Sequence, residues 1–246
     1  MGKFVDQYKE IYLSGLAQQA NNFWVKHRNK MILGAIKKSS TQDKSSAKIL
    51  ELGAGSGNIC GFLHDHGYQV DASDLFASAL NYLSSKAQKS FIFDLINDET
   101  PIELKGQYDY VILGDVIEHL DQPTLALVKA REFLSEKGRL IVTVPAMMSL
   151  WSRYDVISFH RKRYNKENLR TELGCAGYRV ETMKYFVFIP ALIIYFTRKI
   201  IADRELAIGK SAIINGIMSC IMSIEHKLGQ CIDLPFGSSI IAVARK

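Results

Sequence analysis

Lys48-Ile-Leu-Glu-Leu-Gly-Ala-Gly-Ser-Gly-Asn58 changes character in its middle. A largely apolar run suited to a buried strand stops abruptly at Gly53, and glycine recurs at Gly55 and Gly57. Glycines in this rhythm admit positive φ and remove the Cβ atoms that would hold a ligand away from the backbone. Residues 58–66 read as the first helix of a strand–turn–helix unit, so a ligand here meets the free amide N–H groups of a helix N-terminus. A dinucleotide turn, G-x-G-x-x-G, needs its third glycine at position 58, where this chain has Asn58. What stands instead is Glu-x-Gly-x-Gly-x-Gly, with Glu51 just ahead of the turn.

From Lys48 onward strand and helix patterns alternate, which argues for an α/β fold with a parallel sheet covered on both faces. The second strand, Gln69-Val-Asp-Ala-Ser-Asp74, ends in an acid 21 residues after Gly53. That is the spacing at which a carboxylate accepts both ribose hydroxyls of an adenosine, and Asp74 suits this better than Asp71 because it stands at the strand's carboxyl end. The third strand, Phe91-Ile-Phe-Asp-Leu95, carries Asp94 at its tip. The fourth, Tyr108-Asp-Tyr-Val-Ile-Leu-Gly-Asp115, runs into Val116-Ile-Glu-His-Leu-Asp121. A helix over 122–135 leads to a fifth strand, Arg139-Leu-Ile-Val-Thr-Val-Pro145. Arg179-Val-Glu-Thr-Met-Lys-Tyr-Phe186 reads as the sixth, and the chain ends on a strand-like Gly237-Ser-Ser-Ile-Ile-Ala-Val-Ala-Arg-Lys246.

The ordered set Glu51/Gly53/Gly55/Gly57, Asp74, Asp94 and Asp115-Val-Ile-Glu-His119 resembles the class I S-adenosylmethionine (SAM) methyltransferases, over about residues 48–186 and the last strand. The resemblance implies a doubly wound, mostly parallel, seven-stranded Rossmann-like sheet whose last strand returns antiparallel beside the sixth. It implies SAM as cofactor. Glu51 would lie near the donor's charged amino-acid end, and Gly53, Ala54, Gly55 and Gly57 would pass under its sugar. Asp74 with Leu75 would hold the ribose, Asp94 with Leu95 the adenine, and Asp115 with Val116 the methionine portion. Glu118 and His119 would be structural or gating. No Asp/Asn-Pro-Pro-Tyr/Phe segment follows the fourth strand, which argues against methylation of nucleic-acid bases. Two other readings stay open: a nicotinamide-dependent oxidoreductase on the same sheet, and a SAM-binding scaffold without catalysis.

Residues 146–164 leave the carboxyl end of the fifth strand and therefore lie over the mouth of the site. They resemble the lid of small-molecule methyltransferases, of the ubiquinone/menaquinone and sugar types, that carry a Trp, an Asp and then His-x-x-Arg-Tyr. That group also tends to have an aromatic pair and arginines in its N-terminal helix, matched by Phe23, Trp24 and Arg28. The acceptor-side candidates are Trp24, Trp151, Arg153, Tyr154, Asp155, Arg163 and Tyr164. His160 is the candidate base, since its ordinary pKa lies near working pH; the alternative is that it anchors the lid.

The net charge of +6 is unevenly spread. Residues 1–47 carry 8 basic and 3 acidic side chains, residues 48–146 carry 8 and 14, and residues 151–170 carry 6 and 2, so an acidic core is set in a basic periphery. A basic periphery suits an anionic partner: a phosphorylated acceptor, nucleic acid or a lipid surface. Cys60, Cys175, Cys220 and Cys231 show no C-x-x-C pair or metal-ligand spacing, so reduced thiols, a cytoplasmic location and no metal are expected. Neither a signal peptide nor a myristoylation site is legible at the N-terminus.

Residues 1–47 are expected to form an N-terminal helical lid, with Phe4, Tyr8, Ile11 and Tyr12 at helical spacing, followed by a polar linker over 37–46. Residues 48–246 form the SAM-binding domain, with a helical insert at about 187–236. The insert holds uncharged runs of 13 residues (185–197) and 14 residues (211–224), both short of the ~20 a membrane-spanning helix needs. In the second run Ile213, Ile217, Ile221, Ile214, Met218 and Met222 form an apolar stripe opposite Asn215, Ser219 and Ser223. The stripe would pack on the core, form a homodimer interface, or meet a membrane surface or lipid-linked acceptor at the inner face of a membrane.

Overall fold

The computed structural model describes residues 19–39, 46–200 and 212–246, together with Gly15 and Ala17. The expected helical positions Phe4, Tyr8, Ile11 and Tyr12, and the insert's Arg204 and Lys210, lie outside the described residues. Helix α1 (Phe23–Ser39) precedes a sheet of seven strands: β1 (Ile49–Leu52), β2 (Val70–Asp74), β3 (Ser90–Ile92), β4 (Tyr108–Gly114), β5 (Leu134–Pro145), β6 (Arg179–Phe186) and β7 (Ser239–Arg245). Between them lie α2 (Asn58–Asp65), α3 (Ala77–Leu83), α4 (Pro123–Phe133), the short α5 (Arg153–Ile157), α6 (Lys166–Cys175), α7 (Phe188–Ile200) and α8 (Ala212–Cys231).

The strand order is β3-β2-β1-β4-β5-β7-β6. Neighbours from β3 to β5 pair parallel, whereas β7 runs antiparallel to both β5 and β6. The last strand is thus antiparallel beside the sixth, as expected, and it is inserted between β5 and β6. Chain order reverses at β1/β4, so the carboxyl ends of these strands open the crevice in which such sheets bind ligands.

Period-two alternation explains why the strands stay in this sheet. Leu50, Leu52, Val111, Leu113, Leu140 and Val142 face one apolar layer with Leu127 and Phe133 of α4 and Leu169 and Leu173 of α6. Ile49, Tyr110, Ile112, Ile141, Ile241 and Val243 face the other, with Ile32, Leu33 and Ile36 of α1 and Ile59 and Leu63 of α2. Each such side chain, fully buried, contributes roughly 1.5–3 kcal/mol. Helix α1 therefore shares a core with the sheet, and it runs through Lys37 and Lys38 to Ser39, so the helix continues past the point where the linker was expected to begin.

The insert's expected stripe packs on the core in part. Met222 of α8 is buried against α1's layer, with Met218 and Ile221 packed on it, but Ile217, Ile224 and Leu228 are exposed. Asn215, expected on the solvent face, instead accepts from Phe23 N at 2.7 Å and donates to Asn21 O at 2.9 Å. The helix is rotated by what it docks on: Glu225, buried, accepts the N–H groups of Phe188 and Ile189 at 3.0 and 3.1 Å and so caps α7.

Candidate donor and acceptor site

The turn after β1 takes the strained path that glycine permits. Gly53, Gly55 and Gly57 have φ of 74°, 54° and 69°. A Cβ at Gly53 would lie 2.7 Å from Val116 Cγ2, so this residue must also let the β4 loop approach. Gly53 N and Ala54 N donate to Ser73 O at 2.9 Å each, tying the turn to β2. Asp74, buried at the end of β2, accepts from Gly55 N at 2.7 Å and from Phe76 N at 2.9 Å, and Leu75 beside it is exposed. Burial raises the Asp74 carboxyl pKa, against the pull of those amides. Glu51 is only 2% exposed and accepts from Cys60 N at 2.8 Å. Burial pushes its carboxyl up to about 8, with Arg28 and the Cys60 amide opposing.

Asp94 lies two residues beyond the end of β3, so it is not at the strand's tip. Its carboxylate accepts from Ile96 N at 2.8 Å, Asn97 N at 3.2 Å and Asn97 Nδ2 at 2.9 Å, forming the cap of its own turn, while Leu95 is buried. An adenine amino group would have to share those oxygens.

Past β4, Asp115 holds φ of 58°, an unfavourable conformation for a residue with a side chain. Three bonds maintain it: Asp115 N donates to Thr143 O at 3.0 Å, Thr143 Oγ1 to Asp115 Oδ1 at 3.2 Å, and Arg28 Nη1 to Asp115 Oδ2 at 2.6 Å. Arg28 comes from α1, and its guanidinium also lies 5.3 Å from the Trp24 ring. Trp24 Nε1 donates to Ser239 Oγ at 3.1 Å, and Asn29 Nδ2 donates to Asn58 O at 2.8 Å. One face of α1 is thereby docked onto both the glycine turn and the end of β4.

The next residues build a second group. Glu118 is 0% exposed, and neither carboxylate oxygen has a hydrogen-bond partner among the described residues. Burial, then the nearby Asp115, holds its carboxyl well above the usual range. Arg161 N donates to Glu118 O at 2.7 Å, which brings the lid onto this loop. The rings of His119 and His160 stand 4.9 Å apart, and burial followed by His160 lowers His119 to about 4. His160 Nδ1 lies 2.9 Å from Asp155 Oδ1. Arg163 clamps the same carboxylate, Nε to Oδ1 at 2.8 Å and Nη2 to Oδ2 at 3.0 Å, and gives Nη1 to Ala146 O at 3.1 Å. Burial alone would raise Asp155, but the bonds from His160 and Arg163 hold it well below the usual carboxylate range.

Comparison with known proteins identifies the family. The methyltransferase-domain family matches residues 24–183, well over half of the chain. The chain belongs to the SAM-dependent methyltransferase family. It is 26% identical over 137 residues to an uncharacterized methyltransferase of Staphylococcus carnosus, covering 52% of this chain and 63% of that relative's length. Its fold resembles a SAM-dependent methyltransferase from Archaeoglobus fulgidus (TM-score 0.54, 17% identity, 89% of this chain and 94% of that one). It also resembles magnesium protoporphyrin IX methyltransferase from Synechocystis, solved with bound SAH (TM-score 0.55, 14% identity, 91% and 84%).

For a member of this family the turn suits the donor: its glycines leave the backbone bare, two buried acids flank it, and Ser56 Oγ and Ser73 Oγ are buried without partners among the described residues. The structure brings together Glu51, the three glycines, Ala54, Asp74, Asp115 and Val116 at one end of the sheet. It corrects the acceptor-side expectations in two places. Tyr164 is 0% exposed and gives its hydroxyl to Glu172 Oε2 at 3.1 Å, so it is a core residue, held there by the bridge it forms with Ala146. Arg163 spends its donors on Asp155 and Ala146 and so braces the lid. Trp151 is half-buried, and Arg153 and Tyr154 are exposed on α5, Tyr154 with its ring 6.3 Å from His160. Asn29 and Thr143 were missed, since a polar residue within a helix or strand carries no local signal of a partner elsewhere.

Proposed function

We propose that the chain transfers the SAM methyl group to a hydroxyl oxygen of a small amphipathic acceptor entering beneath the lid, with His160 as the base. The observation that carries this reading is the Asp155–His160 pair at 2.9 Å, with Asp155 fully buried and clamped by Arg163, next to the loop that leaves β4. When bound, the donor supplies an already activated methyl group on a sulfonium sulfur. Glu51 and the glycine turn would hold its amino-acid end and sugar, Asp74 its ribose, Asp94 and Leu95 its adenine edge, and Asp115 and Val116 the methionine chain. Asp155 fixes the His160 tautomer, so that the remaining ring nitrogen can take the hydroxyl proton. As that proton leaves, the oxygen's electron pair would be free to take up the methyl group that the donor supplies, and the S–C pair would stay on the donor's sulfur. Most of the rate would come from holding oxygen and methyl in line.

The acceptor's apolar part is argued from the surface beside the lid. Met148, Tyr154, Val156, Ile157 and Phe159 are exposed, and Tyr195 and Phe196 are exposed on α7, which packs against residues 148–150. Tyr154, Val156, Ile157 and Phe159 lie within the basic segment 151–170. That combination favours an anionic amphiphile, or one embedded in a lipid surface, met by a peripheral protein at the cytoplasmic face. No helix among the described residues is long and apolar enough to cross a membrane.

Release of SAH, followed over hydroxylated acceptors with and without an alkyl tail, tests both parts. A tail should lower KM. His160→Asn should lower turnover by about 10²–10⁴-fold and leave SAH binding, measured by calorimetry, unchanged. Loss of SAH affinity in that variant would place His160 on the donor side and refute the assignment.

A further inference from the structure

Glu118, His119 and His160 have a spacing that donor binding does not call for. One possible ligand atom from each lies within 4.8 Å of the others. Glu118 is fully buried with neither carboxyl oxygen hydrogen-bonded among the described residues, and an interior acid without such partners either stays protonated or holds a cation. His160 is already braced from behind. His160 Nδ1 is on Asp155, whose other contacts come from Arg163 and Ser152. Metal-binding imidazoles are held in this way, one ring nitrogen on a carboxylate or carbonyl and the other on the ion.

We infer that Glu118, His119 and His160 together bind one first-row divalent cation, Zn²⁺ or a close analogue, at the acceptor side of the site. Two imidazoles with one carboxylate favour such an ion over Mg²⁺ or Ca²⁺, which prefer oxygen ligands. Ligand atoms on one ion at ~2.1 Å stand roughly 3–4 Å apart, so the three groups need to close by about 1 Å. Three protein ligands leave a coordination position for water or the acceptor hydroxyl, whose proton is then more easily lost. The inference rests on the reading of this end as the acceptor side, and it makes His160 a ligand when the ion is present.

The test is a titration of the EDTA-treated full chain with Co²⁺, read by its visible d–d absorption, then displaced with Zn²⁺ and challenged with Mg²⁺. One ion per chain should bind, Zn²⁺ should displace it, and Mg²⁺ in large excess should not. Glu118→Gln and His119→Asn should each weaken Co²⁺ binding by about 100-fold or more, and Asp155→Asn by about 10–100-fold through loss of the brace. His119→Asn should keep wild-type SAH affinity, which shows that the variant is folded. Absence of a one-to-one cobalt spectrum in the wild-type chain overturns the inference, whatever the variants do, and so does wild-type affinity in Glu118→Gln or His119→Asn. The two readings fail separately. Turnover that is insensitive to EDTA but lost in His160→Asn keeps the base and removes the ion. A bound ion with no methyl transfer to any hydroxyl keeps the site and removes the proposed reaction.

Discussion

Replacing Glu51 with glutamine should flatten the pH dependence of donor binding. In the ligand-free protein burial raises the Glu51 carboxyl from 4.5 to about 8, so it is mostly protonated at pH 7. The donor's ammonium group, on the role proposed above, favours the carboxylate, and binding then expels a proton. A group whose pKa falls on binding makes affinity rise with pH between its bound and free values, by up to tenfold per unit. From pH 5.5 to 7.5, below the range where an α-amino group itself titrates, SAH affinity should rise by up to about 100-fold, or about 2.7 kcal/mol. Above about pH 8 the effect levels off. Calorimetry in two buffers of different ionisation enthalpy should show release approaching one proton for the wild type and none for Glu51→Gln. The folding equilibrium supplies an independent check. Because the folded pKa is raised, the wild type's stability relative to Glu51→Gln is greatest below about 4.5 and is lost as pH rises through about 8. At one unit per 1.36 kcal/mol, the upper limit of that loss is about 5 kcal/mol. A wild-type Kd that is flat with pH, with heats independent of buffer, would refute the reasoning.

Asp74→Ala should weaken SAH binding by roughly 10–100-fold, since each hydrogen bond to a charged group contributes about 1.5–3 kcal/mol; unchanged calorimetric affinity would count against its ribose role. Arg28→Met leaves the largely buried Asp115 without its cation and should cost about 3 kcal/mol in urea unfolding. Limited proteolysis of that variant should cut α1 faster than in the wild type, and an unaltered digest would show that the pair does not hold the helix. Gly237→Ala would place a Cβ 2.3 Å from Phe186 O and 2.9 Å from Phe186 C, both backbone atoms that cannot swing aside. It should destabilise by about 1–3 kcal/mol, lowering Tm by about 2–4 °C per kcal/mol, and an unchanged melting curve would contradict that packing. Val156→Glu with Ile157→Glu should abolish co-flotation with anionic vesicles and raise KM for tailed acceptors, while sparing SAH affinity; retained flotation would mean that the lid does not meet lipid.

The amino-acid order alone determined the glycine turn and the acid that faces it, the part of the site proposed for the donor. A strand that ends in three alternating glycines, and an acid at the next strand's carboxyl end, are local features, because backbone conformation and side-chain alternation depend on near neighbours. The order of strands and helices, read the same way, leads to the sheet that the structure shows. Folding decided what each polar side chain meets. Asp94 satisfies itself on its own turn, Tyr164 is sealed in the core, and Asn215 turns toward α1. Arg28 reaches Asp115 across 87 residues of chain, and Glu118 and His119 meet a histidine that follows them by some forty positions. Periodicity tells which face of an element is apolar, but it does not say which other element covers that face. Bonds near 3 Å between distant segments arise only when that choice has been made, so the grouping of Glu118 and His119 with His160 became visible in the folded chain alone.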